Sequence, residues 1–233
     1  MKVVILCGGL GSRLAEETKI IPKPMVRIGR KPILQYIIEY FQAFGLYEFI
    51  LATGYKHKII EKYYSQNKKV NCVFTGKTTM TGGRLLRLKN YFNKNENFLL
   101  TYGDGLTNQN LNDLIKFHLK HKKIATLTSV LQPARFGVLR LKNNNVTSFK
   151  EKPQLKNNWI NGGYFIFNYK IFNFIKNNNE MLERAPFKKL VKTKNLMAFK
   201  HSGFWQCMDT MRDKQALEEM LKANKTPWII KRK

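Results

Sequence analysis

Short, unbroken apolar segments alternate along the chain with longer stretches in which apolar residues recur every three or four positions. The unbroken segments are rich in β-branched and aromatic residues, which is typical of strands buried on both faces. They predict strands at residues 3–7, 49–53, 72–74 and 98–102. The periodic stretches predict helices at residues 32–44, 58–65 and 111–121. This alternation predicts an α/β fold whose mostly parallel sheet carries helices on both faces.

The second half of the chain contains shorter strands and more turns. Further strands are predicted at residues 124–130, 137–141, 146–152, 162–168 and 196–200. Helices are predicted near residues 171–176, 187–191 and 212–223. We find no internal repeat, and a single domain over residues 1–233 accommodates all of these elements.

The charge of the chain is strongly basic. Lys and Arg number 42 against 15 Asp and Glu, which gives a formal net charge of +27. Such an excess attracts anionic ligands, with nucleic acid as the first candidate. However, the lysines are spread over the whole length and mixed with asparagine, without an arginine stripe or interleaved aromatic residues. We therefore disfavour nucleic acid as a partner and interpret most lysines as solvated charges.

The apolar segments also bear on the compartment. None of them approaches the roughly 18 residues that a membrane-spanning helix needs, and the first one is too short for a signal peptide. The cysteines Cys7, Cys72 and Cys207 lack the spacing of a zinc site. We expect a cytoplasmic protein with reduced thiols and no membrane partner, in which Cys7 and Cys72 are small buried hydrophobic residues.

A glycine-rich loop follows the first predicted strand. It contains Gly8, Gly9 and Gly11 and continues into Ser12 and Arg13. Glycines at the carboxyl end of a strand let the backbone turn tightly and bring its N–H groups against phosphate oxygens, because no Cβ obstructs the approach. The loop therefore predicts a phosphate site.

Two familiar phosphate sites disagree with the residues of this loop. A dinucleotide site needs a third glycine, where this chain has Leu14, and an acidic residue after the second strand, where it has Gly54 and Tyr55. A Walker A loop needs Gly-Lys followed by Ser or Thr, whereas Gly11 precedes Ser-Arg. Lys23, ten residues after Arg13, adds a second cation. A triphosphate is the ligand that best fits this combination.

At this point the chain resembles the sugar nucleotidyltransferases, which carry GGxG[ST]R followed by PKPM. The segment GGLGSRLAEETKIIPKPM is similar to the glucose-1-phosphate cytidylyltransferase branch, because EET stands where other branches have PLT. Further matching motifs follow in the same order: TTMTGGR at 78–84, TYGDG at 101–105, EKP at 151–153, INGGYF at 160–165 and GFWQCMDT at 203–210. The resemblance implies a Rossmann-like, glycosyltransferase-A-like domain with a nucleotide-binding part at about 1–125, an acceptor-binding part at about 126–210 and a C-terminal helix at 212–223.

The resemblance implies a Mg²⁺-dependent cytidylyltransferase that joins the CMP part of CTP to a phosphorylated small molecule and releases pyrophosphate. Glucose 1-phosphate, giving CDP-glucose for capsule or lipopolysaccharide biosynthesis, is the expected acceptor. One alternative is another acceptor, such as phosphoglutamine in capsule phosphoramidate biosynthesis. A second alternative is a non-catalytic RNA-binding or regulatory module on the same fold. A homo-oligomer is compatible with the resemblance, and the oligomeric state stays open.

The chemistry requires charge neutralisation and positioning rather than a general base, because the acceptor phosphate is already an anion. The resemblance makes Asp104 and Asp209 the metal ligands and adds Arg13 and Lys23 as catalytic cations. The implied nucleotide contacts are Leu6, Cys7, Gly8, Gly9, Leu10, Gly11, Ser12, Arg13, Lys23, Thr79, Gly83, Arg84 and Gly103. The implied acceptor contacts are Lys152, Asn161, Gly162, Gly163 and Trp205. For Trp205 and its neighbour Phe204, packing in the hydrophobic core is the alternative.

The chain departs from the family pattern in two places. The segment between the third strand and TTMTGGR is shorter than in the family. In the stretch at residues 178–187, Leu182 and Ala185 stand where the family has Trp and Glu, although Glu183 and Pro186 remain. The resemblance places this stretch on the side of the site that binds the sugar. The resemblance therefore defines the acceptor less closely than it defines the nucleotide.

Overall fold

The predicted alternation of buried strands and amphipathic helices is present in the computed structural model, which describes residues 1–133, 136–151 and 154–230. The strands are β1 (Val3–Cys7), β2 (Arg27–Ile28), β3 (Lys31–Pro32), β4 (Phe49–Thr53), β5 (Val70–Phe74), β6 (Asn97–Tyr102), β7 (Gly105–Thr107), β8 (Ala125–Pro133), β9 (Val138–Lys142), β10 (Asn145–Lys150), β11 (Gln154–Asn168), β12 (Leu196–His201) and β13 (Trp205–Cys207). The α-helices are α1 (Ala15–Thr18), α2 (Ile33–Ala43), α3 (His57–Tyr64), α4 (Thr81–Arg87), α5 (Leu111–His121), α6 (Ala185–Lys192) and α7 (Met211–Lys222). Short 3₁₀ helices span Ser12–Leu14, Lys23–Met25, Lys89–Tyr91 and Tyr169–Phe174.

A seven-stranded sheet in the order β12-β8-β11-β6-β1-β4-β5 forms the centre of the molecule. Within this described sheet only β11 is reversed, because it pairs antiparallel with both β6 and β8 while the remaining pairs are parallel. The mostly parallel sheet predicted from the sequence is therefore confirmed, as is the single α/β domain that contains it.

The helices cover both faces of the sheet. Alternate residues of β1 point to opposite sides, so Val3 and Ile5 belong to one buried cluster and Val4 and Leu6 to the other. The first cluster includes side chains of α2, α3, α5 and α7, and the second includes side chains of α4 and α6. All five residues of β1 and of β4 are buried, which explains why these strands are apolar at every position.

The topology gathers several strand ends at one edge of the sheet, which we call the carboxyl edge. Parallel β1, β4 and β6 all end there. In the reversed strand β11, Tyr164 pairs with Thr101 near the end of β6, so residues 161–163 reach the same edge. The strand β13 pairs with β7, and this pair sets Cys207 against Gly105. Motifs that are far apart in sequence therefore meet at the carboxyl edge.

The structure differs from the sequence prediction in three respects. The helix predicted at residues 171–176 is a 3₁₀ helix at Tyr169–Phe174. The motif TTMTGGR contributes to a helix, α4, which was not predicted because the motif contains two glycines and glycine is a poor helix former. Cys7 is buried as expected, but Cys72 is only half-buried because β5 is the edge strand of the sheet. Among the described residues, no helix combines the length and the apolar character that a membrane span requires.

Candidate active site

A cavity of about 530 Å³ opens at the carboxyl edge, where β1 and β6 end. Its volume lies within the range of about 300–1,000 Å³ that is common for small-molecule sites. Most of the residues predicted from the sequence line it: Leu6, Cys7, Gly8, Gly9, Gly11, Ser12, Arg13, Lys23, Thr79, Arg84, Gly103, Asp104, Asn161, Gly162, Gly163, Trp205 and Asp209. The structure therefore brings the predicted nucleotide and acceptor residues into one cavity.

Two glycines of the loop, Gly11 and Gly9, differ in backbone conformation and in the space around them. Gly11 has a φ of +67°, in the left-handed region that favours glycine, and its carbonyl accepts a hydrogen bond from the Thr18 hydroxyl at 3.0 Å. Gly9 has no heavy atom within 4 Å of the place that a Cβ would occupy. The loop is thus held at Gly11, while the backbone at Gly9 is open to the cavity.

The Arg84 side chain holds the glycine loop in place through hydrogen bonds. It is only 4% exposed, and its Nη1 donates to the Thr53 carbonyl, the Thr75 hydroxyl and the Gly76 carbonyl at 3.1, 2.8 and 2.7 Å. Its Nη2 donates to the Gly8 carbonyl at 2.8 Å. A single guanidinium therefore connects the ends of β1, β4 and β5. Arg84 acts on the cavity through Gly8, and the direct nucleotide contact implied by the resemblance stays a prediction.

Two cations and two carboxylates meet beside the loop. The Lys23 ammonium donates to Asp104 Oδ2 at 2.6 Å and to Asp209 Oδ1 at 2.8 Å. Arg13 pairs with the other oxygen of Asp209, although its side chain is 71% exposed. Burial lowers the pKa of Lys23, but the charge of Asp104 and the hydrogen bonds to both carboxylates outweigh burial and raise the pKa to about 12. Lys23 is therefore a permanent cation between the two carboxylates.

Local structure explains how these carboxylates are held. Asp104 lies in the turn between β6 and β7, and its carbonyl accepts from the Met208 backbone N–H at 2.8 Å. Asp209 precedes α7, whose first turn is closed by a capping box between Thr210 and Asp213. The Asp213 carboxylate also accepts from the Asp209 backbone N–H at 3.1 Å. The helix start and the β7–β13 pairing together aim both carboxylates at Lys23.

On the opposite side of the cavity, backbone groups of residues 161–163 are fixed by neighbouring side chains. The Trp205 indole N–H donates to the Gly162 carbonyl at 2.7 Å. Gly163 has a φ of +76°, and a Cβ there would lie 2.6 Å from the Tyr102 ring. The Gly163 N–H donates to the Asn161 side chain at 2.9 Å. Phe204, in contrast, is partly buried and packs against the core, with its ring centroid 5.5 Å from that of Trp228.

The stretch that departs from the family pattern reaches the cavity indirectly. Leu182 is fully buried in the core, and its N–H donates to the Thr81 hydroxyl at 2.9 Å. The Glu183 carboxylate accepts from Thr81 at 2.7 Å and from the Tyr102 hydroxyl. Thr81 and Tyr102 both line the cavity. In this chain the stretch therefore shapes the wall of the cavity through two other side chains.

Three predicted site residues are not seen in the cavity wall. Leu10 points outward and is 62% exposed. Gly83 faces the backbone of Asn178, where a Cβ would lie 2.2 Å from the carbonyl oxygen. Its missing side chain therefore allows close packing of α4 against this segment. The nucleotide contacts that the resemblance implies for Leu10 and Gly83 stay predictions. Lys152 lies outside the described residues.

Several residues of the cavity were not singled out from the sequence: Pro24, Met80, Thr81, Thr101, Tyr102, Gly105 and Cys207. All of them belong to motifs quoted above, so membership of a matched motif was the available signal. Their side-chain types alone gave none, because threonine, tyrosine and proline at strand ends and turns are usually structural.

The chemistry of the donor set fits a hard divalent cation that shares its ligands with a substrate. Asp104 and Asp209 converge on one cation position, and carboxylate oxygens are suitable ligands for Mg²⁺. The described residues contain no group of three or more His, Cys, Asp or Glu side chains arranged to hold a metal. A metal at this place would therefore take its remaining ligands from water and from phosphate oxygens.

Comparison with known proteins gives a consistent result. A family model described as nucleotidyl transferase matches residues 2–213. Glucose-1-phosphate cytidylyltransferase of Salmonella typhimurium is 42% identical over 253 residues, covering 98% of each chain. The "probable glucose-1-phosphate cytidylyltransferase" of Bacillus subtilis is 37% identical over 255 residues, covering 99% of this chain and 100% of its own. The structure of HddC from Yersinia pseudotuberculosis complexed with GMP-PN is 26% identical, with a TM-score of 0.75 over 94% of this chain and 99% of that one.

The Salmonella alignment, at 253 residues, is longer than this chain of 233 residues. The relative therefore carries residues without a counterpart here, and the shortening before TTMTGGR stays a prediction. The family model covers most of the chain, the relatives match it nearly end to end, and the predicted motifs other than EKP contribute residues to one cavity. This chain belongs to the nucleotidyl transferase family.

Proposed function

We propose that this nucleotidyltransferase uses Mg²⁺ and CTP to transfer a cytidylyl group to glucose 1-phosphate, giving CDP-glucose and pyrophosphate. The observation that carries the proposal is the convergence of Asp104, Asp209, Lys23 and Arg13 beside the glycine loop. This arrangement offers cations and metal ligands at the place where a triphosphate would meet the loop backbone.

The reaction is an in-line displacement at the α-phosphorus. An oxygen of the acceptor phosphate forms the new P–O bond, the bond from the α-phosphorus to the oxygen bridging to the β-phosphate breaks, and pyrophosphate leaves with that electron pair. No proton needs to be removed from the acceptor, so the site needs no general base. Arg13 and Lys23 would offset the negative charge that develops on the leaving pyrophosphate.

Asp104 and Asp209 would hold the metal, because both carboxylates face one cation position. When bound, Mg²⁺ supplies Lewis-acid neutralisation of phosphate charge. Arg84 would keep the loop in place through its bond to the Gly8 carbonyl, and residues 161–163 with Trp205 would form the acceptor side of the cavity.

The choice of CTP is supported by the Salmonella relative, which is a glucose-1-phosphate cytidylyltransferase 42% identical to this chain over 98% of both sequences. The EET segment at residues 16–18 points to the same branch. Phosphoglutamine is retained as a second acceptor because Leu182, where the family pattern has Trp, lies in the core and offers the cavity no aromatic surface.

A pyrophosphate-release screen tests the proposal. CTP, UTP, dTTP and ATP are each combined with glucose 1-phosphate, other sugar 1-phosphates and phosphoglutamine, with and without Mg²⁺. We expect release with CTP, glucose 1-phosphate and Mg²⁺ together, and little with any one of them omitted. Preference for another nucleotide would refute the cytidylyl assignment, and release only with phosphoglutamine would replace the acceptor.

A further inference from the structure

We propose that Lys23 acts as a cation placeholder: without nucleotide, its ammonium occupies the position between Asp104 and Asp209 that a divalent metal needs. Metal and nucleotide then bind together, because the triphosphate draws Lys23 away from the two carboxylates. The inference rests on the proposed function for the identity of the metal position, and it adds a role for Lys23 before any reaction takes place.

The geometry places the ammonium between the carboxylates rather than beside one of them. Lys23 Nζ lies 2.6 Å from Asp104 Oδ2 and 2.8 Å from Asp209 Oδ1. The three side chains are only 14–20% exposed, so their interaction is screened less than that of a surface pair. A metal ion could not bind both of these oxygens while Lys23 keeps its present place.

The local charge balance points in the same direction. Two carboxylates, Asp104 and Asp209, are matched by two cations, Lys23 and Arg13. With this balance, a free metal ion meets a nearly neutral site in which both carboxylates are already paired with cations. The described residues provide no third carboxylate, thiolate or imidazole that completes a metal cluster there. Free metal is therefore expected to bind weakly.

A triphosphate changes this balance. Lys23 and the exposed Arg13 side chain both lie on the cavity wall beside the glycine loop, where phosphate oxygens can accept from them. Once Lys23 donates to phosphate, the carboxylates are released for a metal that also takes phosphate oxygens as ligands. Binding of the two ligands is thus cooperative, and each raises the affinity of the other by the same factor.

The test uses Mn²⁺ alone as the probe, with free Mn²⁺ measured by electron paramagnetic resonance in the absence of nucleotide. We expect Lys23→Met to bind Mn²⁺ at least about tenfold more tightly than the unmodified protein, because a positive charge within hydrogen-bond distance of both carboxylates is removed. Lys23→Arg keeps the charge and should bind Mn²⁺ as weakly as the unmodified protein.

Two controls fix the interpretation. Lys120→Met removes the same charge from the exposed last turn of α5, and should leave Mn²⁺ affinity unchanged. Adding Asp104→Asn to Lys23→Met should abolish the gain, since one carboxylate is lost. Circular dichroism and thermal melting establish that each variant is folded, and Lys23→Gln provides a second neutral side chain if methionine disturbs the fold.

The inference is overturned if folded Lys23→Met and Lys23→Gln bind Mn²⁺ no more tightly than the unmodified protein, or if the gain persists with Asp104→Asn. The readout involves no acceptor and no turnover. Tighter Mn²⁺ binding by Lys23→Met, together with no CTP-dependent activity in the unmodified protein, would keep this inference and refute the proposed reaction. CTP-dependent activity without the Mn²⁺ effect would do the reverse.

Discussion

The carboxyl edge and the opposite, amino edge of the central sheet each carry a cavity, but only the cavity at the carboxyl edge has opposed charges in its described lining. At the carboxyl edge, lysine and arginine meet two aspartates beside a glycine loop. At the amino edge, a cavity of about 350 Å³ is lined by Asn97, His118, Leu119, Lys122, Lys123, Ile124, Asn168, Lys170 and Asn195. Among these described lining residues there are three lysines and no carboxylate.

The difference shows which features distinguish a site in a chain with a net charge of +27. Lysines next to a cavity are expected here from composition alone, so they carry little information. Carboxylates are scarce, with 15 Asp and Glu in the chain, and the convergence of two of them on one half-buried cation at the carboxyl edge is therefore informative. At the carboxyl edge, the backbone at Gly9 is also open to the cavity. The described lining of the amino-edge cavity contains no glycine.

The largest change within the glycine loop is expected from Gly8→Ala. A Cβ at Gly8 would lie 2.1 Å from the Arg84 guanidinium carbon, so the loop or the arginine must shift. We expect a loss of about 1–3 kcal/mol in the free energy of unfolding. We also expect at least about a hundredfold lower kcat/KM, because the loop is displaced. Urea unfolding and pyrophosphate-release kinetics measure the two effects.

Gly9→Ala is the matched comparison, since no heavy atom lies within 4 Å of its Cβ position. Its free energy of unfolding should stay within about 0.5 kcal/mol, while kcat/KM falls because the methyl group projects towards bound phosphate. Unchanged activity in Gly9→Ala would show that substrate does not approach the loop backbone.

An effect on stability alone, without a change in activity, is expected at the amino edge. His118 Nδ1 and His121 Nε2 lie 2.8 and 2.7 Å from the same Thr126 hydroxyl oxygen. Burial, with a smaller contribution from His121, lowers the pKa of His118 to about 4. In the unfolded chain a histidine has a pKa near 6.5, so between pH 6.5 and 4 the unfolded state binds a proton that the folded state excludes.

The stabilisation from neutral His118 is therefore complete above about pH 6.5 and is lost as the pH falls towards 4. The expected loss is roughly 3 kcal/mol, measured by urea unfolding at several pH values. His118→Asn should flatten this dependence, whereas His57→Asn, on α3, should leave it in place. An unchanged pH dependence in folded His118→Asn would assign the effect to other groups.

The smallest effect is expected from the lysines of the amino edge. Lys122→Met and Lys123→Met should change kcat/KM for CTP by less than about twofold and the free energy of unfolding by less than about 0.5 kcal/mol. A large loss of activity in either variant would mean that the amino edge takes part in the reaction, and the contrast between the two cavities would fail.

Much of the carboxyl edge could be predicted because its information is local in sequence. The buried strand, the glycines after it and Lys23 in PKPM lie within one short segment, and the resemblance supplied Asp104 and Asp209. Tertiary partners could not be predicted in this way. The bonds from Arg84 to Gly8 and from Thr81 to Glu183 join residues 76 and 102 positions apart, and neither side-chain type specifies such a partner.

The same reasoning explains what the predicted fold left open and where it was wrong. The reversed direction of β11 depends on its pairing with β6 and β8, which an apolar pattern does not encode. Gly82 and Gly83 hid the helix α4, because glycine is a poor helix former, and both glycines serve close packing against residues 178–182. The low helix propensity of glycine was thus overridden at Gly82 and Gly83, where the backbone of residues 178–182 packs closely against α4.

The central claim is that the carboxyl-edge cavity performs nucleotidyl transfer from CTP. The most direct test is pyrophosphate release with CTP, glucose 1-phosphate and Mg²⁺, comparing the unmodified protein with Asp104→Asn at matched concentration and confirmed folding. We predict release by the unmodified protein and a rate at least about a hundredfold lower in the variant, because one of two carboxylates is lost. Equal rates in the two proteins would contradict the claim.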